Sequence, residues 1–345
     1  MKSTVSERPL VSVILPTYNH ATFIGKAIES VLKQTYYNFE LIIIDNYSED
    51  NTEEIVASYK DDRIKYLKFR NNGIIAASRN QGIKHAKGEF IALLDSDDIW
   101  YRSKIEKQLP HFQVPEIIGV ASDATLVAGI PYFRKINFGR SKFGYVDYCY
   151  RDILNCNPIM TSSLIVRRTT LKHSGFFDES KEFSFIEDWE LWLRMARYGS
   201  FRVLEKPLLT YFVSHKRGYQ SSVISKNTLK IIEKQVNLGY VKNDDIIKTK
   251  ATIYLAIARN LLEFDQQQSR EYYTEALKTT SNIPGKIKAC VGIILSFIPS
   301  HLRKTILLIL YKADWILCSI KNRLWKIVKI FYRSRYIANK SMLNW

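Results

Sequence analysis

The chain has 345 residues, 46% hydrophobic and 25% charged, so it is too apolar for a disordered polymer and long enough for one large domain with an appendage. Its 14 glycines and 9 prolines exclude collagen-like and flexible-linker classes, and 51 Lys/Arg against 34 Asp/Glu leave a formal charge of +17 that calls for an anionic partner. In chain order, residues 1–9 lack the apolar core of a secretory leader. Residues 11–15 predict a first strand ending at Pro16, after which Phe23, Ile24, Ala27, Ile28, Val31 and Leu32 follow helical spacing. Residues 41–44 predict a second buried strand stopped by Asp45-Asn46, and residues 64–69 a third, closed by the turn Asn71-Asn72-Gly73. A helix over 76–87 closes at Gly88, and a fourth strand over 90–94 runs into Asp95-Ser96-Asp97-Asp98. This alternation implies an α/β fold, a mainly parallel central sheet with helices on both faces. Ligands of such sheets bind at the carboxyl ends of the strands, and polar residues directly follow strands one, two and four.

Residues 110–157 are less regular, residues 162–166 read as a further strand, and 186–198 as a helix with apolar Leu191, Leu193, Met195 and Ala196. Beyond about residue 220 strand signals stop, which predicts an α/β domain over 1–220 and a helical region over 221–345. Within that region, 251–284 has the pattern of one helical hairpin, with Tyr254, Ala258, Tyr273, Ala276, Leu277 and Pro284 at its marker positions. Residues 285–345 hold twelve Lys/Arg and one acid, Asp314, so +11 of the +17 lies there. Neither apolar run of this tail spans a bilayer: 289–298 is short, and 305–320 contains Lys312 and Asp314. From Lys321 onward Asn322, Lys326, Lys329 and Arg333 make a polar stripe opposite Leu324, Ile327, Val328 and Phe331, the pattern of a helix lying on an anionic membrane surface. The plainer alternative is a helical appendage packed on its own domain. Nucleic acid is disfavoured, because the basic region carries no recognition motif and is rich in large apolar residues. Four cysteines, Cys149, Cys156, Cys290 and Cys318, form no C-x-x-C pair and fit a reducing cytoplasm.

No G-x-G-x-x-G and no G-x-x-x-x-G-K-[ST] occurs, which argues against dinucleotide oxidoreductases and P-loop enzymes. Carboxylates stand at predicted strand ends instead. Asp95, Asp97 and Asp98 repel one another unless solvated or neutralised, and a hard cation, Mg²⁺ or Mn²⁺, is their natural counter-ion. The ordinary alternative is an acidic helix cap. Glu187-Asp188 precedes Trp189 at a helix start, where aromatic bulk strips water from a carboxylate and raises its pKa toward that of a useful base. The ordinary alternative there is an acidic first helical turn. Asp45, Tyr18, Asn19 and Arg79 each read alone as turn, loop or solvated helix residues.

Together these pieces resemble family-two glycosyltransferases. The run Val11-Ser-Val-Ile-Leu-Pro-Thr-Tyr-Asn19 is similar to the family's opening, and residues 41–50 to its second strand and nucleotide-binding Asp. Ala77-Ser-Arg-Asn-Gln-Gly82 is similar to its helix start, and residues 90–98 to its D-x-D strand. Residues 157–168 with Gly175-Phe-Phe-Asp-Glu179 resemble the acceptor side, and 186–194 the E-D helix. The likeness covers about residues 9–215 and implies the GT-A nucleotide-sugar fold. It implies inverting transfer of one sugar from a nucleoside-diphosphate donor (UDP, dTDP or GDP) to a hydroxyl of a saccharide or lipid-linked saccharide, in bacterial surface-polysaccharide assembly. It further implies that Asp188 is the base with Glu187 beside it, and that Pro16, Thr17, Tyr18, Asp45, Asn46, Arg79, Asp95 and Ser96 line the nucleotide-sugar site. Asp95, Asp97, Asp98 and, from a Y-R-x-H-like segment with Phe212 in place of Arg, His215 would serve Mn²⁺ or Mg²⁺.

Departures from the family pattern bear on this. Strand two ends Asp45-Asn46-Tyr47-Ser48 where the family more often has Asp-Asp-Gly-Ser, so one charge is missing and Tyr47 is expected to need an unstrained backbone. No Q-x-x-R-W and no multi-helix channel is present, which disfavours a processive synthase. The competing readings are a related nucleotide-sugar enzyme such as a nucleotidyltransferase, whose Gly-rich loop is missing after residue 15, and an inactive carbohydrate- or membrane-binding module of the same fold. The expected location is the cytoplasm, peripheral on the inner membrane's cytoplasmic face.

Overall fold

The computed structural model describes residues 8–128, 143–155, 157–213, 217–240, 243–262, 265–280, 283–299 and 302. The first half alternates as expected: β1 (Val11–Thr17), α1 (Ala21–Leu32), β2 (Phe39–Asp45), α2 (Thr52–Ser58), β3 (Ile64–Lys68), α3 (Ile75–His85) and β4 (Phe90–Leu93). β1 is buried at all seven positions because it pairs on both edges, in parallel with β2 and with β4. A strand covered on both faces reads as an unbroken apolar run rather than an alternating one. α1 buries Ile24, Ala27, Ile28 and Val31, one helical face, against the core built by β1 and β2. α3 lies so close to the sheet that a Cβ on Gly82 would sit 2.4 Å from Ile14 Cγ2.

Next come β5 (Ile99–Trp100), α4 (Lys104–Gln108), β6 (Ile117–Ser122), β7 (Thr125–Ala128), β8 (Tyr145–Tyr148) and α5 (Tyr150–Asn155). The stretch read as irregular thus supplies three strands, each too short to stand out by periodicity. Then follow β9 (Ile165–Arg167), α6 (Arg168–Ser174), α7 (Glu187–Met195), β10 (Ser200–Leu204) and β11 (Leu209–Val213). The strand expected over 162–166 is shorter and later, because Thr161–Ser163 coil into a 3₁₀ turn. The helix expected over 186–198 ends at Met195. The main sheet runs β3-β2-β1-β4-β9-β6-β10-β8, and β5-β11-β7 form a second, small sheet. β9 is antiparallel to both β4 and β6, so it divides the parallel nucleotide-type half from the second half.

The remaining helices are α8 (Arg217–Asn237), α9 (Asn243–Leu261), α10 (Gln266–Thr279) and α11 (Ile283–Leu295). Contacts divide the chain into two units, Met1–Ile253 and Tyr254–Trp345, a division C-terminal to the boundary expected at 220. α8 stays with the first unit because Lys234 pairs with Asp178 and Glu190, each at 2.8 Å. In the second unit α10 and the end of α9 form the expected hairpin, with Ala258, Leu262, Tyr273 and Leu295 as its core. α10 is capped by Asp265, whose side chain accepts from Gln268 N. α11 packs against Tyr273 through Gly292, where a Cβ would lie 2.2 Å from the ring. No helix among the described residues is long and apolar enough to cross a membrane. The amphipathic stripe expected from Lys321 onward lies outside the described residues.

Candidate active site

The carboxyl ends of β1 and β2 lead into two loops stapled to each other. Asn19 N donates to Ser48 Oγ (2.9 Å), Glu49 N to Asn19 Oδ1 (2.8 Å), and Ala21 N to Asp50 Oδ2 (2.9 Å). Pro16 and Thr17 are buried inside β1, and Thr17 Oγ1 is enclosed without a hydrogen-bond partner. Tyr18 is 48% exposed at the loop tip. Asp45, expected to hold the nucleotide base, is fully buried, and its carboxylate accepts from Ser48 N, Ser48 Oγ and Tyr66 Oη. Its structural work is therefore to shape the loop. Burial and then this bond to Asp45 push the Tyr66 phenol well above its ordinary pKa. Asn46 donates its N–H to Thr17 O (3.0 Å), while its Oδ1 accepts from Asn71 N (2.9 Å), fastening the β3–α3 loop. The expectation of an unstrained backbone at Tyr47 is overturned: its φ is +56°, in the left-handed region.

α3 carries the hub of the site. Arg79 is only 3% exposed. Its Nη2 donates to Asp95 Oδ1 at 2.8 Å and its Nη1 to Glu187 Oε1 at 2.6 Å. One planar guanidinium thus ties the end of β4 to the start of α7, a fork geometry that lysine lacks. Burial works against the charge on Arg79, but Asp95 and then Glu187 outweigh it and hold the guanidinium above its ordinary pKa. The next residue, Asn80, donates Nδ2 to Phe177 O and Glu179 Oε1 and accepts from Phe177 N. Consecutive α3 side chains therefore bind both downstream motifs, 175–179 and 187–188.

Asp188 sits beside this pair, partly exposed. Its Oδ2 accepts from Thr161 Oγ1 at 2.9 Å, with Asn157 Nδ2 at 3.4 Å, and its Oδ1 accepts from Trp189 N at 2.6 Å. Dehydration, and then the neighbouring Glu187, push its pKa up to about 6, while Arg79 and Thr161 pull it back. A carboxylate poised near neutral pH is suited to general-base work. Thr161 was not singled out from sequence; a Thr-Ser-Ser run just before a short strand looks like a turn, and only the fold turns it toward Asp188.

The acidic cluster splits in two. Asp95 and Asp97 stay part-exposed, whereas Asp98 is 1% exposed and accepts from Phe212 N at 3.1 Å, latching β11. Burial, and then Asp95, push Asp98 up to about 8 and raise Asp97 as well. Ser96 is buried, its Oγ 2.6 Å from His20 Nδ1. Among the described residues no three His, Cys, Asp or Glu side chains converge as a ready-made metal cage. Asp95 and Asp97 nevertheless fit a divalent cation, because both carboxylates stay part-exposed and Arg79 engages only Oδ1 of Asp95. Mg²⁺ typically takes only one or two protein carboxylates beside phosphates and water. His215 lies outside the described residues.

This sheet, with its D-x-D, Arg79 and E-D cluster, defines a nucleotide-sugar-dependent transferase. The chain belongs to glycosyl transferase family 2, whose family model matches residues 12–173. It is 32% identical over 232 residues to the Escherichia coli UDP-Glc:alpha-D-GlcNAc-diphosphoundecaprenol beta-1,3-glucosyltransferase WfgD, covering 66% of this chain and 83% of that one. It is likewise 32% identical over 236 residues to E. coli WfaP, whose name states the same reaction, covering 66% and 85%. Among solved structures, the Pyrobaculum calidifontis mannosyltransferase PcManGT, in complex with GDP-Man and Mn2+, superposes with a TM-score of 0.57 at 18% identity, covering 87% of this chain and 83% of that one. S. aureus TarS superposes with a TM-score of 0.58 at 18% identity, covering 83% of this chain and 54% of TarS. The fold is GT-A and the protein is a glycosyltransferase.

Proposed function

We propose that the chain transfers one sugar, with inversion, from a nucleoside-diphosphate donor to a hydroxyl of a lipid-linked saccharide during surface-polysaccharide assembly. The observation that carries this reading is Arg79, which bonds Asp95 and Glu187 at once and thereby sets the D-x-D beside the base helix. The lipid-linked acceptor is supported by WfgD and WfaP, whose names state such acceptors. Asp95 and Asp97 would hold Mn²⁺ or Mg²⁺. When bound, the cation neutralises charge developing on the diphosphate leaving group. Asp188 takes the proton of the acceptor hydroxyl as that oxygen attacks the anomeric carbon from the face opposite the diphosphate. Thr161 and Trp189 N–H orient the carboxylate, and Arg79 bridges Glu187 and Asp95. Asp98 is a latch for β11 rather than a ligand.

The membrane surface also enters this proposal. Ile283, Ile287 and Ile294 form an exposed apolar stripe on α11, flanked by exposed Lys286 and Lys288. This face and the basic residues beyond it hold the enzyme on the cytoplasmic leaflet, where a lipid-linked acceptor resides. The test is calorimetric titration with UDP, GDP and dTDP, each with Mn²⁺ and with EDTA. Metal-dependent binding of one nucleotide is expected. Failure to bind any of the three overturns the donor assignment and favours a binding module of the same fold.

A further inference from the structure

The turn after β2 holds an aromatic side chain in a costly conformation without burying it. Tyr47 has a φ of +56°, where a β-carbon crowds its own backbone, and aromatic residues rarely settle. Such strain persists where the surroundings over-determine it, and it concentrates at ligand sites. The ring belongs to no core cluster and remains 42% exposed, so packing does not explain it. One face carries the Arg70 guanidinium, 4.6 Å from the ring centroid. Arg70 is itself pinned between two anchors to the same turn: Phe69 N donates to Asp45 O at 2.9 Å and Asn71 N to Asn46 Oδ1 at 2.9 Å. The ring is therefore pre-set from both sides of the sequence. It also precedes Ser48, whose Oγ accepts from Asn19 N, so it stands on the loop adjoining exposed Tyr18 at the carboxyl ends of β1 and β2.

We infer that Tyr47, braced by Arg70, is the stacking platform for the nucleobase of the donor. The inference rests on the donor reading above, and names the residues by which this chain recognises a nucleoside diphosphate. A rigid aromatic ring gains contact with a base at little entropic cost, and an Arg on its far face strengthens the stack electrostatically. Asn46, committed to Asn71, is an element of the brace.

The experiment titrates wild type, Tyr47→Gly, Tyr47→Phe and Arg70→Met with UDP, GDP and dTDP in Mn²⁺, and with Mn²⁺-pyrophosphate as a probe lacking a base. Tyr47→Gly is expected to weaken the preferred nucleotide about tenfold, to leave pyrophosphate affinity unchanged, and to melt at or above the wild-type temperature, since glycine accepts this φ freely. Tyr47→Phe should bind as wild type, and Arg70→Met should weaken nucleotide but not pyrophosphate. Equal nucleotide affinity in wild type and a folded Tyr47→Gly overturns the platform while leaving the donor reading intact. If wild type binds pyrophosphate but none of the nucleotides, both fall together.

Discussion

Asp188 is the proposed base, and its surroundings predict its pH behaviour. Its pKa is raised to about 6 by burial and then by Glu187, so the carboxylate is charged and able to accept a proton above that pH. kcat/KM is therefore expected to be level above about pH 7 and to fall tenfold per unit below about 6. Asp188→Asn should remove about 10²–10⁴-fold of the rate while nucleotide binding persists; a near-wild-type rate would exclude Asp188 as the base. Thr161 donates to Asp188 Oδ2 and lowers its pKa. Thr161→Val should thus move the acid limb upward, whereas Thr161→Ser should restore it. An unmoved limb in a pH–rate profile of Thr161→Val would show the contact to be merely structural. The candidate residues were legible because they end strands or open helices. Their partners were not: no local pattern shows that Tyr66, 21 residues away, donates to the Asp45 carboxylate.

At the scale of elements, α3 and α7 position the site and each has one position that tolerates little change. On α3, Gly82 lets the helix approach β1, and an added Cβ would meet Ile14 at 2.4 Å. Gly82→Ala is expected to cost about 1–3 kcal/mol of stability by overpacking, in spite of alanine's better helix propensity; denaturant unfolding checks this. On α7, Glu190 is fully buried between Arg194 at 2.7 Å and Lys234 at 2.8 Å, the latter reaching over from α8. Glu190→Ala removes the anion that Arg194 and Lys234 share, leaving Lys234 to Asp178 alone, and should cost about 3 kcal/mol. A shift of the unfolding midpoint below 1 kcal/mol would mean that α8 is held elsewhere. The periodicity of α1 exposed its buried face directly, but β6, β7 and β8 escaped notice. Strands of four to six residues with Gly and Ser among them carry too few alternations to read.

For the whole molecule, charge is the governing quantity. Eleven of the seventeen net positive charges fall in residues 285–345, and α11 opens this segment with an exposed apolar stripe. Each basic side chain near an anionic leaflet contributes about 1 kcal/mol, and ionic strength screens that attraction. The full chain is expected to sediment with vesicles containing phosphatidylglycerol at low salt and to be released at about 0.5 M salt. The double variant Ile287→Glu/Ile294→Glu should pellet markedly less at low salt while keeping its turnover on a water-soluble acceptor. Equal pelleting of variant and wild type would remove α11 from the membrane contact.

The amino-acid sequence alone determined the fold class, the order of the motifs and the identity of the acids. Strand and helix periods are local properties, and ligands gather where parallel strands end. Only the tertiary structure decided which partners the acids meet. Arg79 and Glu187 are 108 residues apart, and Asp98 and Phe212 114, so no local pattern records those contacts. The sheet brings them together, and burial then separates them by chemistry: the paired Asp95, the latched Asp98 and the dehydrated Asp188 differ only in what surrounds them.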